Sequence, residues 1–332
     1  MQEGISVVMC TYNGVAFLEQ QLDSILNQTA TVSELIIQDD CSTDGTWELI
    51  QRYAGRLPFI RATRNSRNVG FNENFRQAMM QAKEPYVAIA DQDDIWYPQK
   101  LERLLQAIGT HDICFSAYHR DAVFSEHCRQ KVCPQFNAER LLFSNCIPGH
   151  SMLVRREFLH QPAHWNPHVC YDWWFLMCAV FENGIVRVDE PLNWHRPHAA
   201  SAIAQIHARY ATRHTKATSP LMPYLYGGQD LKRLRNKEAW KIFNRMVQQR
   251  SSEVLRQDTP ASSACSADHF TVRLLHQLST CLLEGKTLRL CCLCFKYRKR
   301  IYPDVQVQGL MGGIRGFFYP FIYAYNNTNF EM

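Results

Sequence analysis

Residues 86–96 read Tyr86-Val87-Ala88-Ile89-Ala90-Asp91-Gln92-Asp93-Asp94-Ile95-Trp96. The apolar run from Tyr86 to Ala90 suits a strand buried on both faces, which is the condition of a parallel sheet covered by helices on either side. It stops abruptly in three acids. Strand alternation would throw Asp91 and Asp93 to one side of the strand end, and adjacent carboxylates repel. A hard divalent cation relieves that repulsion, and Mg²⁺ or Mn²⁺ typically takes one or two carboxylates together with phosphate oxygens. Helix capping is the competing account, and Asp94 suits the N-cap of a helix from Tyr97 to Ile108.

Outward from this segment the chain alternates short β-branched runs with helical periodicity. Strands are expected at Ile5–Cys10, Leu35–Gln38, Phe59–Thr63, Tyr86–Ala90 and Ile113–Tyr118. Between them fall helices with Leu18, Leu22 and Ile25, with Leu49, Ile50 and Tyr53, with Phe75, Ala78 and Met79, and with Leu101, Leu104 and Ile108 facing inward. This βαβ rhythm predicts an α/β fold with a mostly parallel sheet. Ligands of such sheets bind beyond the carboxyl ends of the strands. Those positions are polar throughout: Thr11-Tyr12-Asn13 after the first strand, Asp39 to Thr46 after the second, Asp91 to Asp94 after the fourth. Ser42 to Thr46 also reads as a turn that caps the next helix. Asp40 is left over, a carboxylate able to accept the imide N–H of a uracil or thymine ring.

Cys10-Thr-Tyr-Asn13, Asp39-Asp-Cys-Ser-Thr-Asp-Gly-Thr46, Asn68-Val-Gly70 with Asn74, and Ala90-Asp-Gln-Asp-Asp-Ile-Trp96 together resemble the family-2 glycosyltransferases of the GT-A fold. The resemblance covers about residues 4–200, and the acidic run followed by Ile-Trp is similar to bacterial rhamnosyltransferases of surface polysaccharides. It implies a GT-A nucleotide-diphospho-sugar transferase fold and inverting transfer from a UDP- or dTDP-sugar. The acceptor would be a glycan or lipid-linked saccharide, as in O-antigen or capsule synthesis. Thr11, Tyr12, Asn13 and Asp40 would hold the base, and Asn68 and Gly70 would line the nucleotide pocket. Asp91 and Asp93, with His198, would hold ribose, metal and diphosphate. Asp172, in Tyr171-Asp-Trp-Trp174, would be the general base, although an Asp at the start of an apolar helix also suits an N-cap. Gly149, His150 and Trp173 would border the acceptor, with Trp173 equally a core residue. Arg196, in His195-Arg-Pro-His198, would stabilise the departing diphosphate.

Composition bounds these readings. The chain of 332 residues, 46% hydrophobic and 12% aromatic, exceeds what one core usually fills, so a catalytic domain over 1–204 and a helical region over 205–332 are expected. No apolar run approaches the ~18 residues of a membrane span, and the amino terminus lacks the pattern of a secretory signal. A cytoplasmic protein is expected. Net charge is +5, split as −6 over 1–204 and +11 over 205–332. That basic tail, ending in the aromatic run 316–325, suits an anionic membrane surface or an oligomer contact. Nucleic acid is not expected as a partner. The thirteen cysteines read as buried thiols, and Cys291, Cys292 and Cys294 lack the paired spacing of a zinc site. Two rival classes stand beside the transferase: a non-catalytic membrane or nucleic-acid scaffold that keeps the core for shape, and a sugar-nucleotide nucleotidyltransferase, which would want a glycine- and arginine-rich amino-terminal signature.

Overall fold

The computed structural model describes residues 3–125, 130–145, 147–199, 201, 221–256, 265–302 and 309–326. Cys146 and residues 202–220 and 257–264 lie outside them. The chain divides into two compact units, one of 1–135, 147–167 and 184–199, the other of 136–146, 168–183 and 200–332. Two segments, 136–146 and 168–183, belong with the C-terminal helices.

The first unit is built on one nine-stranded sheet. Its strands are β1 (Ile5–Thr11), β2 (Glu34–Asp39), β3 (Ile60–Arg64), β4 (Tyr86–Asp91), β5 (Ile95–Trp96), β6 (Ile113–Arg120), β7 (Lys131–Val132), β8 (Met152–Arg155) and β9 (Ile185–His195). The order is β3-β2-β1-β4-β8-β6-β9-β5, with β7 beside β6. Parallel pairing links β3, β2, β1 and β4, and β8 runs antiparallel between β4 and β6. That makes β6 and β9 parallel to β4 as well.

Helices α1 (Val15–Leu26), α2 (Thr46–Ala54), α3 (Phe71–Met79) and α4 (Lys100–Ile108) connect these strands. Every residue of β1 and β2 is buried, as two covered faces require. The helices contribute one apolar stripe each: Leu18, Leu22 and Ile25 of α1 join Leu101, Leu104 and Ile108 of α4 in the same core as Val7, Ile37 and Ala88. Register sets the site. At the end of β1, Cys10 lies opposite Asp91 and Thr11 opposite Asp39, so both acidic turns flank one strand tip.

The second unit consists of α5 (Ala138–Leu141), α7 (Tyr171–Val180), α8 (Met222–Asn236), α9 (Glu238–Arg256), α10 (His269–Glu284), α11 (Thr287–Lys296), α12 (Arg298–Ile301), α13 (Gly309–Phe317) and α14 (Tyr319–Asn326); the short α6 (Arg156–Leu159) belongs to the first. Trp240, Phe243 and Val247 of α9 and Leu274, Leu275 and Leu278 of α10 are fully buried. The aromatic run expected to meet a membrane instead packs inward: Phe143 meets Tyr319 and Tyr323 edge-on, and Tyr302 stacks on Tyr319 at 4.3 Å. Burying those rings is worth more to the unit than presenting them.

Helices α8 and α14 approach closely at Gly227, where a Cβ would lie 2.3 Å from the Phe321 carbonyl oxygen. In an exposed helix Gly→Ala gains about 1 kcal/mol. Here backbone stands in the way, so Gly227→Ala is expected to destabilise by about 1–3 kcal/mol; urea unfolding of the two proteins gives the sign directly.

Candidate active site

The loop after β2 is fixed from within. Asp39, fully buried, accepts from the Thr11 hydroxyl at 2.8 Å and from the Ser42 amide at 3.0 Å, with Arg64 at 3.3 Å. Ser42 in turn accepts from the Asn13 amide at 2.9 Å, and Asn13 Oδ1 accepts from the Thr43 amide at 2.8 Å. Asn13 and Cys41 have positive φ, and these side-chain bonds hold the two tips there. Thr11 is itself buried, so its hydroxyl supports Asp39 and does not line a pocket. Tyr12 remains on the surface, 47% exposed, clamped by Gln92 through two 3.0 Å bonds to its backbone.

Asp40 organises the next loop. Its Oδ1 accepts from Asn65 Nδ2 and the Val69 amide, both at 2.8 Å, and its Oδ2 from the Gly70 amide at 2.9 Å. A carboxylate offers about four acceptor positions, so Asp40 keeps capacity for a further donor. Gly70, at φ 85 and ψ 154, precedes α3 with nothing within 4 Å of where a Cβ would stand. Only glycine takes that backbone conformation at ease, and Asn68 Oδ1 steadies it through the Gly70 amide at 3.1 Å. Asp40 is thus joined by hydrogen bonds to the loop that carries Asn68 and Gly70.

The turn after β4 departs from simple alternation. The strand ends at Asp91 and Asp93 sits in the turn beyond it, where its Oδ2 meets His198 Nε2 at 2.5 Å. Arg196 donates to the Asp93 carbonyl at 3.3 Å and to Gln20 at 2.7 Å, and its guanidinium lies 4.5 Å over Phe17 and 4.6 Å over Trp194. Asp93, Arg196 and His198 thus lie together at the turn after β4. The stretch 195–198 reaches this point because β9 shifts register twice against β6, pairing His195 with Arg120.

Asp94 is not the helix cap that its position suggests; Gln99 precedes α4, without a side-chain capping bond. Asp94 is fully buried. It accepts from Asn193 at 2.9 Å and His195 Nδ1 at 3.0 Å, with His150 Nδ1 at 3.2 Å. Asn193 also bonds His150 Nδ1 at 3.0 Å, and the buried Lys100 ammonium donates to the His150 carbonyl at 2.6 Å and to Asn193 at 3.3 Å. Below it the Trp96 ring lies 4.1 Å from the ammonium.

Among the described residues, Asp94, His150 and His195 are close enough to share an ion, with ligand atoms within 4.8 Å. The two imidazoles, however, stack at 4.8 Å and 6°. Lone pairs lie in the ring plane, so two parallel, stacked rings cannot both aim at one ion. We read the cluster as a hydrogen-bonded scaffold. Burial, with His195 and Lys100 nearby, drives the pKa of His150 well down. Burial opposes the charged form of His195 too, but the Asp94 bond and the carboxylates Asp94, Asp91 and Asp93 outweigh it and raise its pKa.

Gly149 and His150, both expected to border an acceptor, are buried, His150 within this scaffold. Trp173 takes the core position that its type favours. It is fully buried in the second unit, donating Nε1–H to the Leu141 carbonyl at 2.6 Å and packing on Phe243 at 4.7 Å. Asp172 lies half-buried in the first turn of α7, where Cys170 holds the N-cap position without a side-chain bond. Its Oδ1 accepts from the Trp173 amide at 2.7 Å. Asp39, Gln92, Lys100, Asn193 and His195 are the site residues that sequence reasoning did not single out. For Asn193 and Lys100 no local signal exists.

A rim of carboxylates thus stands at the carboxyl ends of the parallel strands of an α/β sheet, and one of them, Asp40, holds the loop before α3. The chain belongs to glycosyl transferase family 2, whose model matches residues 6–183. It is 27% identical over 216 residues to an uncharacterised glycosyltransferase of Nostoc sp. PCC 7120, covering 59% of this chain and 66% of that protein. It is 26% identical over 185 residues to the dTDP-rhamnosyl transferase RfbG of Shigella flexneri, covering 51% and 63%. The chain therefore spans somewhat less than two thirds of these relatives' lengths. In fold it is similar to residues 1–349 of S. aureus TarS, determined with UDP-GlcNAc (TM-score 0.54, 14% identity, 96% and 90% covered). It is also similar to the mannosyltransferase PcManGT of Pyrobaculum calidifontis, determined with GDP-Man and Mn²⁺ (0.51, 13%, 97% and 85%).

Burial pulls the pKa of Lys100 down from 10.5 to about 7, against the opposing pull of Asp94 and Asp91. Above pH 7 the unfolded lysine then holds its proton while the folded one sheds it, so stability rises with pH over that range. Buried thiols with raised pKa, such as those of Cys10 and Cys114, act oppositely only near and above the ordinary thiol value of about 8.5. Lys100→Met is expected to flatten the rise in urea midpoint between about pH 7 and 8; an unchanged slope would refute the lowered pKa of Lys100.

Proposed function

We propose that the protein is an inverting glycosyltransferase that moves a sugar from a UDP- or dTDP-sugar to a glycan or lipid-linked saccharide acceptor in surface-polysaccharide synthesis. The observation that carries this reading is the Asp93–His198 pair, 2.5 Å apart, in the turn after β4, at the same end of the parallel strands as the loop that Asp40 holds. The name of RfbG supports a deoxysugar donor on a thymidine nucleotide, and the TarS complex supports a uridine one.

Asp40, Asn68 and Gly70 bind the base side of the donor, with Tyr12 and Asn13 closing over it and Asp91 toward the ribose. Asp93 and His198, 2.5 Å apart, with Asp91 at the end of the preceding strand, offer carboxylate and imidazole ligands of the kind that suit a divalent cation such as Mn²⁺ or Mg²⁺. When bound, such an ion neutralises the diphosphate. Arg196, already oriented by Asp93, Gln20 and Phe17, adds a fixed positive charge for the leaving group.

Asp172 takes the proton of the acceptor hydroxyl. The oxygen attacks the anomeric carbon as the bond to the diphosphate oxygen breaks, and configuration inverts. Capping does not account for Asp172, since Cys170 occupies the cap position.

Two measurements test the reading. Calorimetric titration of UDP- and dTDP-sugars is expected to show donor uptake that requires Mn²⁺ or Mg²⁺ and is lost in Asp93→Asn. Asp172→Asn is expected to lower turnover by at least ~10²-fold with donor affinity unchanged. Near-normal turnover in that variant would remove Asp172 from the role, and release of pyrophosphate in place of nucleoside diphosphate would remove the transferase reading itself.

A further inference from the structure

Helix α11 exposes Leu288, Cys292 and Phe295, residues four and three apart and hence on one face. Leu288 is 71% exposed. The face continues onto α13, where Leu310 and Met311 are 82% and 62% exposed and Ile314 also reaches solvent. The two helices meet there, since a Cβ on Gly313 would stand 3.2 Å from the Phe295 ring. Aliphatic side chains that exposed on adjoining helices mark a surface that is covered in use.

Its border is of one sign. Lys286, Arg289, Lys296, Lys299 and Arg315 are exposed around it, and Arg298 lies 4.9 Å over Phe295. Among the described residues of 285–326 there is no Asp or Glu, Asp304 lying outside them; Glu284, just before α11, pairs with Lys286.

We infer that this face of α11 and α13 docks on an anionic lipid surface, with Leu288, Phe295, Leu310, Met311 and Ile314 entering the acyl boundary and the lysines and arginines meeting the headgroups. A second copy of the chain fits less well, because a two-fold contact would set like charges against each other. Nucleic acid would find aliphatic side chains where it needs stacking partners. An interfacial helix with basic flanks is the arrangement that uses both features at once.

The inference extends the lipid-linked acceptor of the proposed function, but it is read without turnover, so either can fail alone. The test is co-sedimentation of the full chain with vesicles of phosphatidylcholine alone and of phosphatidylcholine with phosphatidylglycerol. Binding is expected only with the anionic lipid, and it should weaken about fivefold for each basic residue removed in the series Lys296→Gln, Lys299→Gln, Arg315→Gln. Leu310→Ser combined with Met311→Ser should also release the protein while leaving its melting temperature and metal-dependent donor binding unchanged. Equal binding to both vesicle types, no binding, or insensitivity to these substitutions would overturn it. So would a dimer in sedimentation that the Leu310→Ser, Met311→Ser variant dissolves.

Discussion

The site depends on a buried carboxylate. Asp94 accepts from Asn193 and His195 at 2.9 and 3.0 Å, and so ties the turn after β4 to the end of β9, two segments about a hundred residues apart in sequence. Such a group is costly to bury unless its hydrogen bonds are made, and that cost gives the arrangement its definition: a small displacement of either segment would leave charge uncompensated. Asp93 immediately precedes this anchor on one side, and Arg196 immediately follows His195 on the other. The converging pair Asp93 and His198 is therefore set by a bond that neither residue makes.

The remaining polar interior follows the same logic. Lys100, Asn193 and His150 complete the donors and acceptors around Asp94, and Trp96 closes the ammonium from beneath. On the other flank Asp39 takes the Thr11 and Ser42 groups while Asp40 takes those of Asn65, Val69 and Gly70. Adjacent acids on one strand end thus do different work. One is consumed in holding its own loop, and the other holds the next loop with acceptor capacity to spare.

Much of this was legible in residue order. The strands and helices up to Arg120 fall within one to four residues of their periodicity, because two-faced burial and single apolar stripes leave strong local patterns. Asp40, Asp91 and Asp93 stood out as acids without a structural use at strand ends. What periodicity cannot show is long-range pairing. Lys100 opens a helix, where a lysine ordinarily faces water, and only the folded chain reveals that its partners come from residues 150 and 193. Asp94 looked like a cap for the same reason, and Trp173 looked available because nothing nearby in sequence announces Phe243. The antiparallel insertion of β8 was equally silent, being only four residues long.

The discontinuous second unit bears on the order in which this protein becomes complete. The segment carrying Asp172 leaves the ribosome well before the helix that supplies Phe243, yet Trp173 finds its ring neighbour only there. During synthesis, and in any shortened form that stops where the sheet stops, the indole beside the assigned base lacks that neighbour. The C-terminal helices in this sense arrive late to the packing of α7, which is complete only once they are made.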